Sequence, residues 1–211
     1  MLSRVSLAMV AALVLPGAPA TAHPHVFVDT KLKVVVSANG KLEGIEVSWT
    51  YDDFYSLLLM ADLGIDQDGD GELTQNELVR LNGFDLNWVA GFEGDSYVTR
   101  NGRKVRLGKP EGRGVSASGG RITSVHFRPA RGRADGVVIK AYDPTFYTAY
   151  DLVGTVDVDG PCTASIQPAD LDAAFTTVEE LLYATPADEA EEAYPEVGEV
   201  FADTVSLSCA D

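Results

Sequence analysis

Twelve consecutive residues restrict the folding choices of this chain more than any other stretch: Asp66-Gln67-Asp68-Gly69-Asp70-Gly71-Glu72-Leu73-Thr74-Gln75-Asn76-Glu77. Side-chain oxygens stand at the first, third, fifth, ninth and twelfth places, and the seventh offers a backbone carbonyl. Gly71 fills the sixth place, where a sharp turn needs a positive φ that glycine takes without steric cost. Leu73 fills the eighth, where an apolar side chain would hold the loop on a core. Calcium, a hard cation, takes about six to eight oxygens from a loop of this spacing. Asp66, Asp68, Asp70, the carbonyl of Glu72, Thr74 and a two-oxygen Glu77 supply them. The competing reading is an acidic turn without metal, which would not need to fill every slot.

An EF-hand loop of this type requires a helix on each side. Asp52-Asp53 offers an N-cap, and Phe54, Leu57, Leu58 and Leu63 fall at helical spacing, predicting a helix of about ten residues. Leu78 and Leu81, with Leu86, Trp88 and Val89, predict a second helix, so the insertion runs over about 52–90. A lone hand has no second one in this chain to pair with. A structural calcium clip is therefore expected in preference to a sensor.

The rest of the chain reads mainly as strands. Val26–Ser37 and Leu42–Tyr51 flank Asn39-Gly40, a strong hairpin signal. Ile45, Val47 and Trp49 alternate with Glu46, Ser48 and Thr50, giving one wet face, while Val34-Val35-Val36 suggests burial on both faces. Ser96–Arg100 and Lys104–Leu107 flank a second Asn-Gly pair, Asn101-Gly102. Gly112–Gly120 reads as a Gly- and Ser-rich connector. Arg121–Arg128, Gly136–Tyr142, Leu152–Val158, Thr163–Ile166 and Val205–Cys209 continue the β pattern. Pro168–Ala184 predicts a C-terminal helix, with Leu171, Ala174, Phe175, Val178, Leu181 and Leu182 on one face. Ala187–Glu199 carries six acids and reads as a solvated loop. The expected fold is α+β: mainly antiparallel and sandwich-like, with an inserted EF-hand-like helix-loop-helix and a C-terminal helix.

The first residues read as an export signal. Arg4 precedes an apolar run, Val5–Leu15, which is too short to span a bilayer. Pro16, Gly17 and Pro19 follow, then Ala20-Thr21-Ala22 with small residues where a signal peptidase reads. Residues 1–22 are thus expected to be a signal peptide and 23–211 a single periplasmic domain that is not integral to the membrane. Removing 1–22 takes one base and no acid, moving the formal charge from −16 to −17. That charge excludes nucleic acid as a partner. In an oxidising compartment Cys162 and Cys209 read as a disulfide.

His23-Pro24-His25 would begin the mature protein. A free α-amine and the His23 imidazole can chelate one metal, and His25 lies two residues on. With His126 from another strand, three imidazoles would suit zinc, copper or nickel. Asp29 is close enough in sequence to ligate or to orient a histidine. A solvated, frayed terminus and an ordinary strand histidine are the plain alternatives. No nucleophile motif or Gly-rich phosphate loop is evident, and no enzyme activity is expected. Asp143-Pro144-Thr145-Phe146-Tyr147 is an aromatic-rich turn that lines a pocket or, more simply, packs inside.

The order of His23-Pro24-His25-Val26-Phe27, the Asp66–Glu77 loop, Tyr142-Asp143-Pro144 and the late Cys209 resembles domain-of-unknown-function family 1007. The resemblance spans essentially all of the mature chain. It implies a periplasmic component of an ABC-type, zinc- or nickel/cobalt-type transport system, with an inner-membrane metal permease as partner. It points to His23 and His25 as metal candidates. The long His-rich loop of many zinc scavengers is missing, which argues against high capacity. The expected function is therefore a periplasmic transition-metal-binding accessory protein with a structural calcium loop. The rivals are a protein clipped by calcium and a disulfide without transition metal, and a copper enzyme with an N-terminal histidine brace.

Overall fold

The computed structural model describes residues 24–185 and 195–209. The expected signal segment, His23 and much of the acidic 187–199 run lie outside the described residues. The Asn39-Gly40 turn closes a hairpin between β1 (Val26–Val36) and β2 (Leu42–Tyr51), with Gly40 at φ 72°. Next come α1 (Asp53–Leu63), the acidic loop and α2 (Gln75–Leu81). A run of short strands follows: β3 (Ser96–Arg100), β4 (Arg103–Lys104), β5 (Glu111–Ser118), β6 (Arg121–Pro129), β7 (Val137–Ala141), β8 (Thr148–Leu152), β9 (Asp157–Asp159) and β10 (Cys162–Gln167). Then α3 (Leu171–Ala184), a 3-10 turn at Gly198–Phe201 and β11 (Thr204–Cys209) complete the described chain. The class is α+β, two mainly antiparallel sheets with three helices among the described residues.

The first sheet runs β5-β6-β2-β1-β8, with β9 also on β1. Only the β1·β8 and β1·β9 pairings are parallel. The second sheet, β10-β11-β7-β3-β4, is antiparallel throughout. Its strand β11 comes last along the described chain yet lies between β10 and β7. Cys162 and Cys209 face each other across β10 and β11 and form a disulfide.

Period-two patterning drives the central strands β1, β2, β6 and β7, each with one sealed face. Ile45, Val47 and Trp49 are buried while Glu46, Ser48 and Thr50 are half-covered. The valine run obeys the same alternation: Val34 and Val36 are buried, Val35 only half so, which corrects the two-faced burial expected for it. The Gly/Ser-rich stretch expected as a connector is the edge strand β5. An edge needs only its backbone ladder, and most of its side chains are exposed. The expected Leu152–Val158 strand is split into β8 and β9, with Gly154 at φ 78° between them.

The helices depart from their expected faces. α2 ends at Leu81, so Leu86, Trp88 and Val89 lie beyond it in irregular backbone. In α1 the buried residues are Ser56 and Met60, whereas Phe54, Leu57 and Leu58 face solvent at 67%, 58% and 44% exposure. In α3 Ala174 is buried while Leu171 and Phe175 are half-exposed. Spacing identified both helices correctly; it gave the wrong side of α1 to the core, while in α3 Ala174 and the half-buried Val178 do lie on the expected face.

Candidate metal centre

The loop is held by its two helices and by the first sheet. Asp52 caps α1, its Oδ1 accepting from the Tyr55 N–H at 2.8 Å. Ser56 is buried because its hydroxyl oxygen accepts from the Ile122 N–H of β6 at 3.0 Å, pinning α1 to the sheet. Gly64 closes α1 at φ 58°. Arg80 of α2 donates to the carbonyls of Gly64 and Leu63, placing a cation at the negative end of α1. Leu81 is completely buried, and Leu73 packs against the same core.

Inside the loop, Asp66, Gly69 and Gly71 all take positive φ, at 54°, 68° and 74°. Asp66 Oδ1 accepts from the Asp70 N–H at 3.1 Å, and its Oδ2 accepts from the Gly71 N–H at 3.3 Å. Asp70 Oδ1 accepts from the Glu72 N–H at 2.8 Å. Asp66, Asp68 and Asp70 each bring a carboxylate oxygen within 4.8 Å of the others. Thr74 caps α2 in a capping box with Glu77. Glu77 Oε2 accepts from the Thr74 N–H and hydroxyl at 2.9 and 2.7 Å, and Oε1 accepts from the Asp66 N–H at 2.9 Å. The Thr74 hydroxyl, with these backbone donors, holds the Glu77 carboxyl below the usual carboxylate range. The three aspartates converge, while Glu77 is tied to the loop by donors and stands outside their cluster. Among the described residues no lysine, arginine or histidine pairs with any of these four acids.

The histidines are not brought together. His25 is exposed, its N–H donates to the Tyr147 carbonyl at 2.8 Å, and its ring lies 4.9 Å from that of Tyr147. His126 is completely buried opposite Val47, which in turn faces Leu32. Leu32 stands seven residues along β1 from His25, so the strand rise alone separates the two by roughly 23 Å. A site joining His126 to the N-terminal histidines is thereby corrected. The His126 ring lies edge-on to Trp49 and Trp88, at 4.6 and 5.7 Å, and neither ring nitrogen has a hydrogen-bond partner among the described residues. Burial, then the nearby Arg128, lowers its pKa to about 4, so it is neutral in ordinary buffers. Asp29 is likewise engaged, paired with Arg121 at 2.8 Å.

Sequence reasoning missed the polar groups behind the strands. Asp85 Oδ2 accepts from the hydroxyls of Tyr51, at 3.0 Å, and Ser124. These bonds tether the segment after α2 to the first sheet. Asp95, at φ 45°, accepts from the Tyr150 hydroxyl at 2.8 Å, and burial raises its pKa to about 7. Each acid follows a glycine and a phenylalanine within three residues, Gly83-Phe84 before Asp85 and Phe92-Glu93-Gly94 before Asp95, which is too common a pattern to serve as a signal. The Asp143 turn is closed by its own carboxylate, which accepts from the Thr145 and Thr148 N–H groups.

Two mainly antiparallel sheets carrying a helix-bounded acidic loop define the class to which this molecule belongs. Within that class the chain belongs to the family described as protein of unknown function (DUF1007), whose model matches residues 8–209. No curated protein sequence matches it. Among solved structures it is similar to acetylcholine-binding protein type 1 of Biomphalaria glabrata, with 10% identity, 95% of this chain and 92% of that chain covered, and a TM-score of 0.35. A likeness at that score supports no functional statement.

Proposed function

We propose that this protein is an exported, periplasmic metal-binding accessory protein of a transition-metal transport system. In this reading the Asp66–Glu77 loop is an EF-hand that holds calcium as a structural clip. The observation that carries the calcium assignment is three converging aspartate carboxylates with no protein cation beside them. Like charges at such separations repel unless a cation lies between them. Asp68 supplies the third place, the Glu72 carbonyl the seventh, Thr74 the ninth, and Glu77 turns toward the ion on binding. Calcium would join α1 to α2 and thereby brace the insertion on the first sheet.

The transition metal, zinc or nickel in type, is held by His23 and His25 without His126. Support comes from the exposure of His25 at the start of β1, and from the family's resemblance to components of zinc- or nickel/cobalt-type transport systems. The partner is an inner-membrane permease that receives the metal. Calcium titrated calorimetrically into chelator-stripped protein should give saturable heat and a raised melting temperature. Elemental analysis of untagged, signal-processed protein should show zinc or nickel that a His23→Ala/His25→Ala variant lacks. Calcium alone in both samples would leave only the structural role.

A further inference from the structure

A further polar feature lies away from the acidic loop. A cavity of about 580 Å³ opens beside β3 and β7 of the second sheet, where residues 105–108 cross toward the end of β6. Its walls include Val105, Leu107 and Val138, with the rings of Tyr97 and Tyr142 stacked at 4.1 Å. Four cations line it: Lys104, Arg106, Arg128 and Lys140. Two are already paired, Lys104 with Glu93, and Lys140 with Glu199 at 3.1 Å. Arg106 and Arg128 form no ion pair among the described residues, although Glu93 lies near enough to favour the Arg128 charge.

Arg128 is the unusual one. It is 5% exposed and lies over the Trp88 ring at 4.5 Å. Its Nε and Nη1 donate to the carbonyls of Gly108 and Glu93 at 2.7 and 2.8 Å, whereas Nη2 has no acceptor among the described residues. The two carbonyls, the Trp88 face and the field of Glu93 carry part of this guanidinium's burial, and its Nη2 is left to receive an anion. A second, independent vacancy points the same way. Ser96 lines the same cavity, is 3% exposed, and its Oγ has no hydrogen-bond partner among the described residues.

We propose that this cavity binds a small organic carboxylate with an apolar or aromatic body. Its carboxylate accepts from Arg128 and Ser96, Arg106 adds long-range attraction, and its body lies against Tyr97, Tyr142 and the aliphatic wall. Guanidinium suits carboxylate because its planar fork matches the two oxygens. The volume, and an aliphatic and aromatic wall set beside charged and polar groups, suit a small amphipathic ligand. An inorganic anion would leave the aliphatic and aromatic wall unused.

The test is fluorine NMR of the calcium-loaded, signal-processed protein with 4-fluorobenzoate, and with neutral 4-fluorobenzamide as the isostere. Saturable broadening by 4-fluorobenzoate is expected, with the amide binding at least about tenfold more weakly because it lacks the charge. Ser96→Ala and Arg106→Gln should each weaken 4-fluorobenzoate by at least about threefold. Arg128→Gln should weaken it more, provided circular dichroism shows the variant folded; if it does not fold, the Ser96 and Arg106 variants decide. Equal binding of acid and amide, or benzoate binding indifferent to both of those variants, overturns the proposal. So does displacement by an equal concentration of inorganic phosphate, which would make the site one for simple anions.

Discussion

The acidic loop and the Arg128 cavity are electrostatic opposites. In the loop, three carboxylates converge on water-exposed backbone with no cation among them. In the cavity, a guanidinium is sunk into the protein with no carboxylate against it. The loop tolerates its imbalance because solvent screens exposed charge and backbone N–H groups absorb part of it. The buried guanidinium is screened less, so carbonyl dipoles, the Trp88 face and the field of Glu93 carry more of the load. Surface excess can therefore wait for an ion of low affinity, whereas buried excess demands a ligand that fits.

The sharpest way to break the comparison is to detach the loop while leaving the cavity intact. Leu81 is fully buried under α2, and Leu81→Ala should cost about 2–5 kcal/mol by cavity creation. Denaturant unfolding would show it, alongside weakened calcium binding and unchanged 4-fluorobenzoate binding in the folded fraction. Equal loss at both sites would mean that the insertion and the second sheet are one cooperative unit.

Calcium itself should come next in size. At a hundredfold excess over its Kd it would add about 2.7 kcal/mol to stability. Asp66→Ala or Glu77→Gln should abolish that gain, read as a melting temperature that no longer responds to chelator.

The third test concerns pH, and the two regions should differ in sign. Asp95 adjoins Ser96 of the cavity, and burial raises its pKa from 3.8 to about 7. Its neutral form is the one the fold favours, so this contribution is intact below about pH 4 and is lost as pH rises to 7. Asp95→Asn keeps an acceptor for Tyr150 and should stabilise the protein above pH 7, on the order of 1 kcal/mol or more, with little effect at pH 4. Glu77, lowered by its Thr74 and Asp66 donors, acts oppositely: its contribution is present at neutral pH and fades on acidification. His126, lowered to about 4, also fades on acidification, from about pH 6.5 downward. Melting temperatures of wild type and Asp95→Asn from pH 4 to 8 separate these contributions. Parallel profiles for the two proteins would refute the assignment to Asp95.

The smallest effect belongs to the cavity rim. Lys104 and Glu93 are a largely exposed pair, with side chains 62% and 40% accessible. Glu93→Gln should change stability by less than about 1 kcal/mol. It should nonetheless tighten 4-fluorobenzoate about twofold by releasing Lys104, a difference that an NMR titration resolves.

Legibility followed the kind of physics each element obeys. The hairpin at Asn39-Gly40 and the strand Leu42–Tyr51 were plain because alternation and turn chemistry are local. The start of α1 was plain because Asp52 is a local cap, whereas the closing Gly64 went unread. The core-facing side of α1 was hidden, since Ser56 faces inward to serve a backbone N–H from a strand 66 residues away. Strand β5 was hidden because its glycines and serines carry no burial pattern. The loop's aspartates are adjacent by sequence and so were readable as a site. The cavity was not: Ser96, Arg106 and Arg128 meet only through sheet pairing and the crossing at 105–108. His126 was misjudged for the same reason, because residue type suggested a ligand while register placed it among tryptophans.

The position of β11 sets a schedule for the polypeptide. Until residues 204–209 have emerged, β7 and β10 each present a bare ladder to whatever lies nearby. The second sheet is therefore completed only once residues 204–209 have been made and inserted, and the Cys162–Cys209 bridge needs that same segment. A chain stalled shortly before Thr204 would be a sticky intermediate with two hungry edges. Newly made copies thus have a window in which chaperoning matters most, and it closes with a single strand.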